Sequence, residues 1–91
     1  MATVLRTHEQ LGQALRQRRK ALGLTQADVA RRLGVSQTRL SAFERRADIL
    51  SVRQLLALAA LLDIRLLLDV PTTVPDATAL SARRAKETSA W

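Results

Sequence analysis

Between Thr7 and Leu62 the apolar positions recur at three- and four-residue intervals, the spacing of amphipathic helices. Thr7, with Gln10 three residues on, matches a capping box, and Leu11, Ala14, Leu15, Arg18 and Leu22 follow at helical spacing until Gly23 closes the segment. Thr25 stands three residues before Asp28 and opens a second helix whose inner face is Val29, Ala30 and Leu33; Gly34 ends it after about two turns. Ser36 caps a third helix that turns Leu40 and Phe43 inward, and Ser51 with Gln54 repeats the capping box before "LLALAALL". That fourth helix is apolar nearly all round. Val52, Leu55, Leu56, Ala59 and Leu62 make one face, and Leu58 and Leu61 are left on another. A helix with two apolar sides is covered on both, and in so short a chain the second cover is expected from another subunit.

After Leu62 the period changes. In "DIRLLLDV" the residues Ile64, Leu66, Leu68 and Val70 alternate with Arg65, Leu67 and Asp69, the pattern of a half-buried strand, and Pro71 stops it. A lone strand has no partner within its own chain, so the expected partner is the same strand of a dimer mate, antiparallel across a two-fold axis with Arg65 facing Asp69. Because no glycine stands at Asp63, continuation of the helix through Ile64 is the alternative. From Val74 onward Thr, Ser, Ala, Pro and charges replace the apolar pattern. The expected organisation is one folded domain over residues 1–73 and a flexible tail over 74–91, with Trp91 a tolerated exposed residue, an anchor for a partner or a mark for proteolysis of the tail. The fold class is mainly α: a compact helical bundle plus one C-terminal β-strand that pairs with the dimer mate.

Composition narrows the function. Of the 91 residues 47% are hydrophobic but only 2% aromatic, which suits a Leu/Ala/Val core of packed helices. Without cysteine there are no disulfides or thiolate metal sites, and a reducing cytoplasm is the expected compartment. His8 is the single histidine and has no carboxylate cluster near it in sequence; no segment has the length of a membrane span. Neither a catalytic residue, a metal ligand nor a cofactor is assigned, because the chain carries no nucleophile elbow or phosphate-cradling glycine loop and only three glycines in all. Charge is placed unevenly. Residues 1–46 hold ten Arg or Lys against three Asp or Glu, whereas residues 47–91 hold five of each, so the net charge of +7 belongs to the first half. A basic half points to a polyanion.

Residues 25–44, "TQADVARRLGVSQTRLSAFE", make that more specific. Two short helices can meet steeply only with a small residue where the backbones approach, a glycine in the turn and apolar side chains in the wedge. Ala30, Gly34, and the set Val29, Leu33, Val35, Leu40 and Phe43 meet those conditions. This is a helix-turn-helix pattern, in which the second helix lies in the DNA major groove. With Leu40 and Phe43 inward, Gln37, Thr38 and Ser41 point out as candidate base readers; Gln37 can pair with adenine, and Arg39 can reach guanine or phosphate. Gln26, at a helix N-terminus, and Ser36, Arg31, Arg32, Arg45 and Arg46 are candidate phosphate contacts. A stand-alone repressor and a repressor with a protein partner share all these features, and the scarcity of aromatic stacking platforms argues against a single-stranded RNA reader.

The segment "LRQRRKALGLTQADVARRLGVSQTRLSAFER" resembles the Cro-type (XRE) helix-turn-helix family of phage and bacterial repressors over about residues 7–63. The resemblance implies an ion pair between Arg19 and Glu44. It also puts the next turn in question, since the family usually has Asn-Gly where this chain has Arg45-Arg46-Ala47-Asp48. Within that family the layout is similar to the HipB-type antitoxins, which implies a homodimer that binds a palindromic double-stranded DNA operator, represses its own toxin-antitoxin operon and neutralises a HipA-like serine/threonine kinase toxin. A free-standing phage-type repressor, or an antitoxin to a non-kinase toxin, is the competing reading.

Overall fold

The computed structural model describes residues 3–71, and over them the chain forms α1 (His8–Ala21), α2 (Gln26–Leu33), α3 (Gln37–Arg45), a 3-10 turn (Ala47–Ile49) and α4 (Val52–Leu61). The expected tail, its boundary after residue 73 and Trp91 lie outside the described residues.

Every helix starts at the residue whose side chain can satisfy an unpaired N–H of the first turn. Thr7 Oγ1 accepts from Gln10 N–H at 3.2 Å while Gln10 Oε1 accepts from Thr7 N–H at 3.3 Å. The same reciprocal box closes between Thr25 and Asp28, at 3.0 and 2.9 Å, and between Ser51 and Gln54, both at 3.0 Å. Ser36 Oγ accepts from Arg39 N–H at 3.0 Å. Each cap contributes about 1 kcal/mol. The Thr25 backbone N–H bonded to Asp28, followed by the Thr25 hydroxyl, holds the Asp28 carboxyl below its ordinary value.

The helices stop by the same physics at three places. Gly23 and Gly34 take left-handed backbone, with φ of 72° and 81°. After α4 the left-handed residue is Asp63, with φ of 54°. Its N–H donates to Ala60 O at 3.3 Å and the next, Ile64 N–H, to Ala59 O at 2.8 Å. Gly23 and Leu24 repeat this pair of bonds at the end of α1, at 2.9 and 3.1 Å, so aspartate fills at one helix end the position that glycine fills at another. The alternative in which α4 runs on through Ile64 is therefore ruled out. The turn after α3 needs no glycine: Arg46 sits at φ −138° and ψ 76°, and the 3-10 turn buries Ala47.

Leu15, Val29, Ala30, Leu40, Phe43, Leu58 and Leu62 form the core, edged by Leu11, Leu24, Leu33, Val35, Leu50 and Ile64. α3 lies against both α2 and α1, and α4 packs on α2. The faces of α4 differ from the expected ones. Leu58 is fully buried with Ala59 and Leu62, Leu55 and Leu61 are half-buried, and Val52 and Leu56, expected on the inner face, are 73% and 55% exposed. The one cation of the helix, Arg53, shares its outer side with Leu56, Ala57 and Ala60, all exposed, which places Leu55, Leu58, Ala59 and Leu62 inward. Among the described residues no helix is long and apolar enough to cross a membrane.

Beyond Ile64, whose side chain edges the core, residues 65–71 extend without a paired strand. Both alternating sets are exposed there, Leu67 at 74% and Leu68 at 96%, so a lone chain buries neither face of the segment.

One contact controls how closely α1 approaches α3. A Cβ on Gly12 would run into the Glu44 carbonyl oxygen and stand 3.8 Å from the Ala47 Cβ. Alanine is the better helix former by about 1 kcal/mol, but forcing the two backbones apart costs about 1–3 kcal/mol. Gly12→Ala is accordingly expected to lower the urea midpoint; a raised midpoint would show that α1 can shift freely.

Candidate nucleic-acid interface

Gln26 on α2 and Gln37, Thr38, Ser41 and Arg45 on α3 line one open hollow of about 290 Å³. Helical periodicity explains the grouping. Gln37, Ser41 and Arg45 recur every four residues along one ridge of α3, Thr38 stands beside it, and Leu40 and Phe43 occupy the opposite, buried side. The hollow is polar, carries a single formal charge from Arg45, and is rimmed by amide and hydroxyl groups able to donate and accept. Arg45 Nε folds back to its own helix, 3.4 Å from Ser41 O.

Arg39 does not join this group. Its guanidinium carbon lies 5.3 Å from the centroid of the Phe43 ring, on the flank of α3, where it covers the edge of the core by a cation–π contact. The Ser36 hydroxyl is engaged as a cap. Two of the four other arginines are already paired with carboxylates. Arg31 Nη2 is 2.9 Å from Asp28 Oδ1, and Arg46 Nη2 is 3.0 Å from Asp48 Oδ2. The Arg46 hydrogen bond holds the Asp48 carboxyl below its ordinary value, and Asp48 in turn raises Arg46. Such exposed pairs are worth at most about 1 kcal/mol, so a phosphate can compete for either arginine. Arg32 is exposed and has no ion pair among the described residues.

Behind the hollow lies a buried ionic network. Arg19 Nε donates to Glu44 Oε2 at 2.7 Å and Arg19 Nη2 to Glu44 Oε1 at 3.2 Å, a two-pronged pair whose side chains are only 9% and 6% exposed. Arg19 Nη1 also donates to Leu24 O at 2.9 Å, and Gln26 Nε2 donates to Glu44 Oε1 at 3.1 Å. The Arg19–Glu44 pair thus ties α1, the turn after it, the start of α2 and the end of α3. Among the described residues no buried side-chain polar atom is left without a partner. The Gln26 amide, expected to meet a phosphate, has its nitrogen committed to Glu44, while its backbone N–H remains at the open N-terminus of α2.

Sequence reasoning missed Gly12 and the membership of Leu24 and Gln26 in this network. A glycine inside a predicted helix was the available signal for the first, since that position costs a helix about 1 kcal/mol without a packing reason. No group of three or more metal-ligating side chains occurs among the described residues.

Residues 15–68, more than half of the chain, match the helix-turn-helix family. The chain belongs to the XRE-type helix-turn-helix family. Its fold is also that of several solved helix-turn-helix chains. A chain from a HipB–O1–O2 complex matches with 23% identity and a TM-score of 0.68, covering 76% of this chain and all (100%) of that one. A chain from a HipA–HipB–O2–O3 complex matches with 24% identity and a TM-score of 0.68, over 79% of this chain and 100% of that one. A chain from a complex of a HipB variant with an O2 20-mer matches with 25% identity and a TM-score of 0.65, over 85% and 99%. No curated protein sequence matches this helix-turn-helix chain significantly.

Removing one partner of the buried pair leaves the other charge stranded in the helix-turn-helix core. Glu44→Ala is expected to destabilise the domain by about 3–5 kcal/mol, and the double variant Arg19→Met/Glu44→Leu by much less, because it strands no charge. Equal losses in urea unfolding of the single and double variants would exclude this account.

Proposed function

We propose that the chain is a homodimeric repressor that reads a palindromic duplex operator in the cytoplasm, controls its own toxin-antitoxin operon and holds a HipA-like serine/threonine kinase inactive. The observation that carries the DNA-binding part is the hollow on α3. Gln37, Thr38 and Arg45 stand exposed, with the half-buried Ser41 between them, on the helix that this family lays in the major groove, and the Arg19–Glu44 pair holds that helix from behind. Gln37 is the principal base reader, with Thr38 and Ser41 beside it; Arg45, Arg32, Arg31 and Arg46 approach phosphates, and the α2 N-terminus presents the Gln26 backbone N–H to another. Arg39 and Ser36 have the smaller parts, given their bonds to Phe43 and to the helix start. Likeness in fold to a chain of a HipA–HipB–O2–O3 complex supports the toxin-binding part. No chemistry on the DNA is required: occupancy of the operator is sufficient for repression.

The homodimer is supported by the apolar surface that the lone chain leaves uncovered. Val52 and Leu56 on α4 and Leu66, Leu67, Leu68 and Val70 on the extension are all exposed. In the dimer the segments Ile64–Val70 pair antiparallel, with Arg65 across from Asp69.

A gel-shift titration against the chain's own promoter duplex tests the first part. Gln37→Ala is expected to weaken binding by about 1–3 kcal/mol, roughly 5- to 150-fold, without changing affinity for unrelated duplex. Raising salt from about 50 to 200 mM is expected to weaken every complex steeply. A flat salt profile together with unchanged Gln37→Ala binding would sink the assignment of the interface. For the strand, Leu67→Pro removes a backbone donor and is expected to convert the dimer to monomer by size-exclusion with light scattering; a dimer that survives rules the strand out.

A further inference from the structure

α4 ends with carbonyls that have no partner within the helix, as every helix does. One of them is met from a distant part of the chain. Arg18, at the far end of α1, donates from Nε to Leu62 O at 2.8 Å, and its Nη2 stands 3.6 Å from Asp63 Oδ2. Both contacts fall on the two residues at which the chain changes from helix to extension. A cation there is also favoured by the negative end of the α4 dipole.

That turn is the last place where the domain holds the extension. Asp63 is the left-handed residue, a conformation that costs a side-chain-bearing residue about 1–2 kcal/mol and that glycine would adopt freely. Ile64 N–H bonds to Ala59 O at 2.8 Å and its side chain edges the core. Every residue from Arg65 to Pro71 is exposed. Direction errors at Asp63 are therefore amplified: six further residues of extended chain reach about 20 Å, so a 20° swing at the turn moves Val70 by about 7 Å. A displacement of that size is about two base pairs of DNA length, enough to misplace a second recognition helix.

We propose that Arg18 is the positioning residue of the dimer: by gripping the Leu62 carbonyl it fixes the direction in which residues 64–70 leave the domain, and with it the separation of the two recognition helices. This rests on the dimeric reading above. It assigns a part in recognition to a side chain outside the hollow on α3 and distinct from its neighbour Arg19, which bonds Glu44 and the Leu24 carbonyl instead. Because the Arg18 side chain is 38% exposed, it can be replaced without opening the core.

The chain has no cysteine, so Thr38→Cys places one spin label per protomer on α3, and the distance between the two labels in the full-length dimer can be measured by pulsed electron resonance. The parent is expected to give one narrow distribution near the length of a DNA turn, about 34 Å. Arg18→Leu is expected to broaden it by about twofold or more, with helicity and melting midpoint close to those of the parent. Arg18→Lys, which keeps a donor for Leu62 O, restores most of the narrow peak. Should Arg18→Leu lose its helical signal, Arg18→Met, which keeps the aliphatic stem but has no donor for the carbonyl, provides the same readout. An equally narrow distribution in the folded variant overturns the assignment of Arg18 while leaving the dimer intact. Absence of any inter-protomer distance in the parent overturns the dimeric reading and this inference with it.

Discussion

The Glu44 carboxylate is the constraint around which the domain is arranged. It accepts from Arg19 twice and from Gln26 once, so three elements that share little sequence proximity are held to one point. Such a pair does not exist for stability alone. Taking two charges out of water costs several kcal/mol each, and their attraction roughly offsets that only when the geometry is good and the remaining donors are satisfied. Here they are satisfied, through the Leu24 carbonyl and the Gln26 amide. What the network adds over an apolar filling is direction: a leucine at position 44 could slide, whereas a carboxylate bonded on two sides cannot. The ridge carrying Gln37, Ser41 and Arg45 inherits that rigidity, because Glu44 is on the same helix.

Gly12 complements the network from the other side. The Arg19–Glu44 pair draws α1 and α3 together, and the missing side chain at Gly12 permits them to come as close as the carbonyl of the same Glu44. Attraction and permission thus act on one residue, one through its side chain and one through its backbone.

Much of this was legible in the sequence, and the reasons are local. Capping residues act over three positions, so Thr7, Thr25, Ser36 and Ser51 marked the helix starts that the structure shows. The grouping of Gln37, Thr38 and Ser41 followed from the period of a helix whose buried side was marked by Leu40 and Phe43. The faces of α4 were misread: only Arg53 marks the outer side, which it shares with the exposed Leu56, Ala57 and Ala60, and the run Leu55 to Leu62 carries no polar residue to extend that mark. Arg39 looked like its exposed neighbours until the position of the Phe43 ring was known. Asp63 lacked the expected glycine, yet aspartate tolerates left-handed backbone well enough for the bonds to Ala59 and Ala60 to stop the helix. The bond from Arg18 to Leu62 spans 44 positions, beyond the reach of any pattern in sequence.

The ion pairs of Arg31 with Asp28 and Arg46 with Asp48 bear on how binding would be counted. An arginine that enters a duplex interface from water displaces a condensed cation and leaves nothing behind. One that enters from a pair with a carboxylate exchanges one anion for another, and the abandoned aspartate then gathers cations from solution. The net release is smaller, so the slope of affinity against salt underestimates the number of phosphates touched. With Asp28 and Asp48 stationed beside two of the arginines, a steep salt slope would still count fewer phosphates than the domain touches, and that difference would be a property of the free protein as much as of the complex.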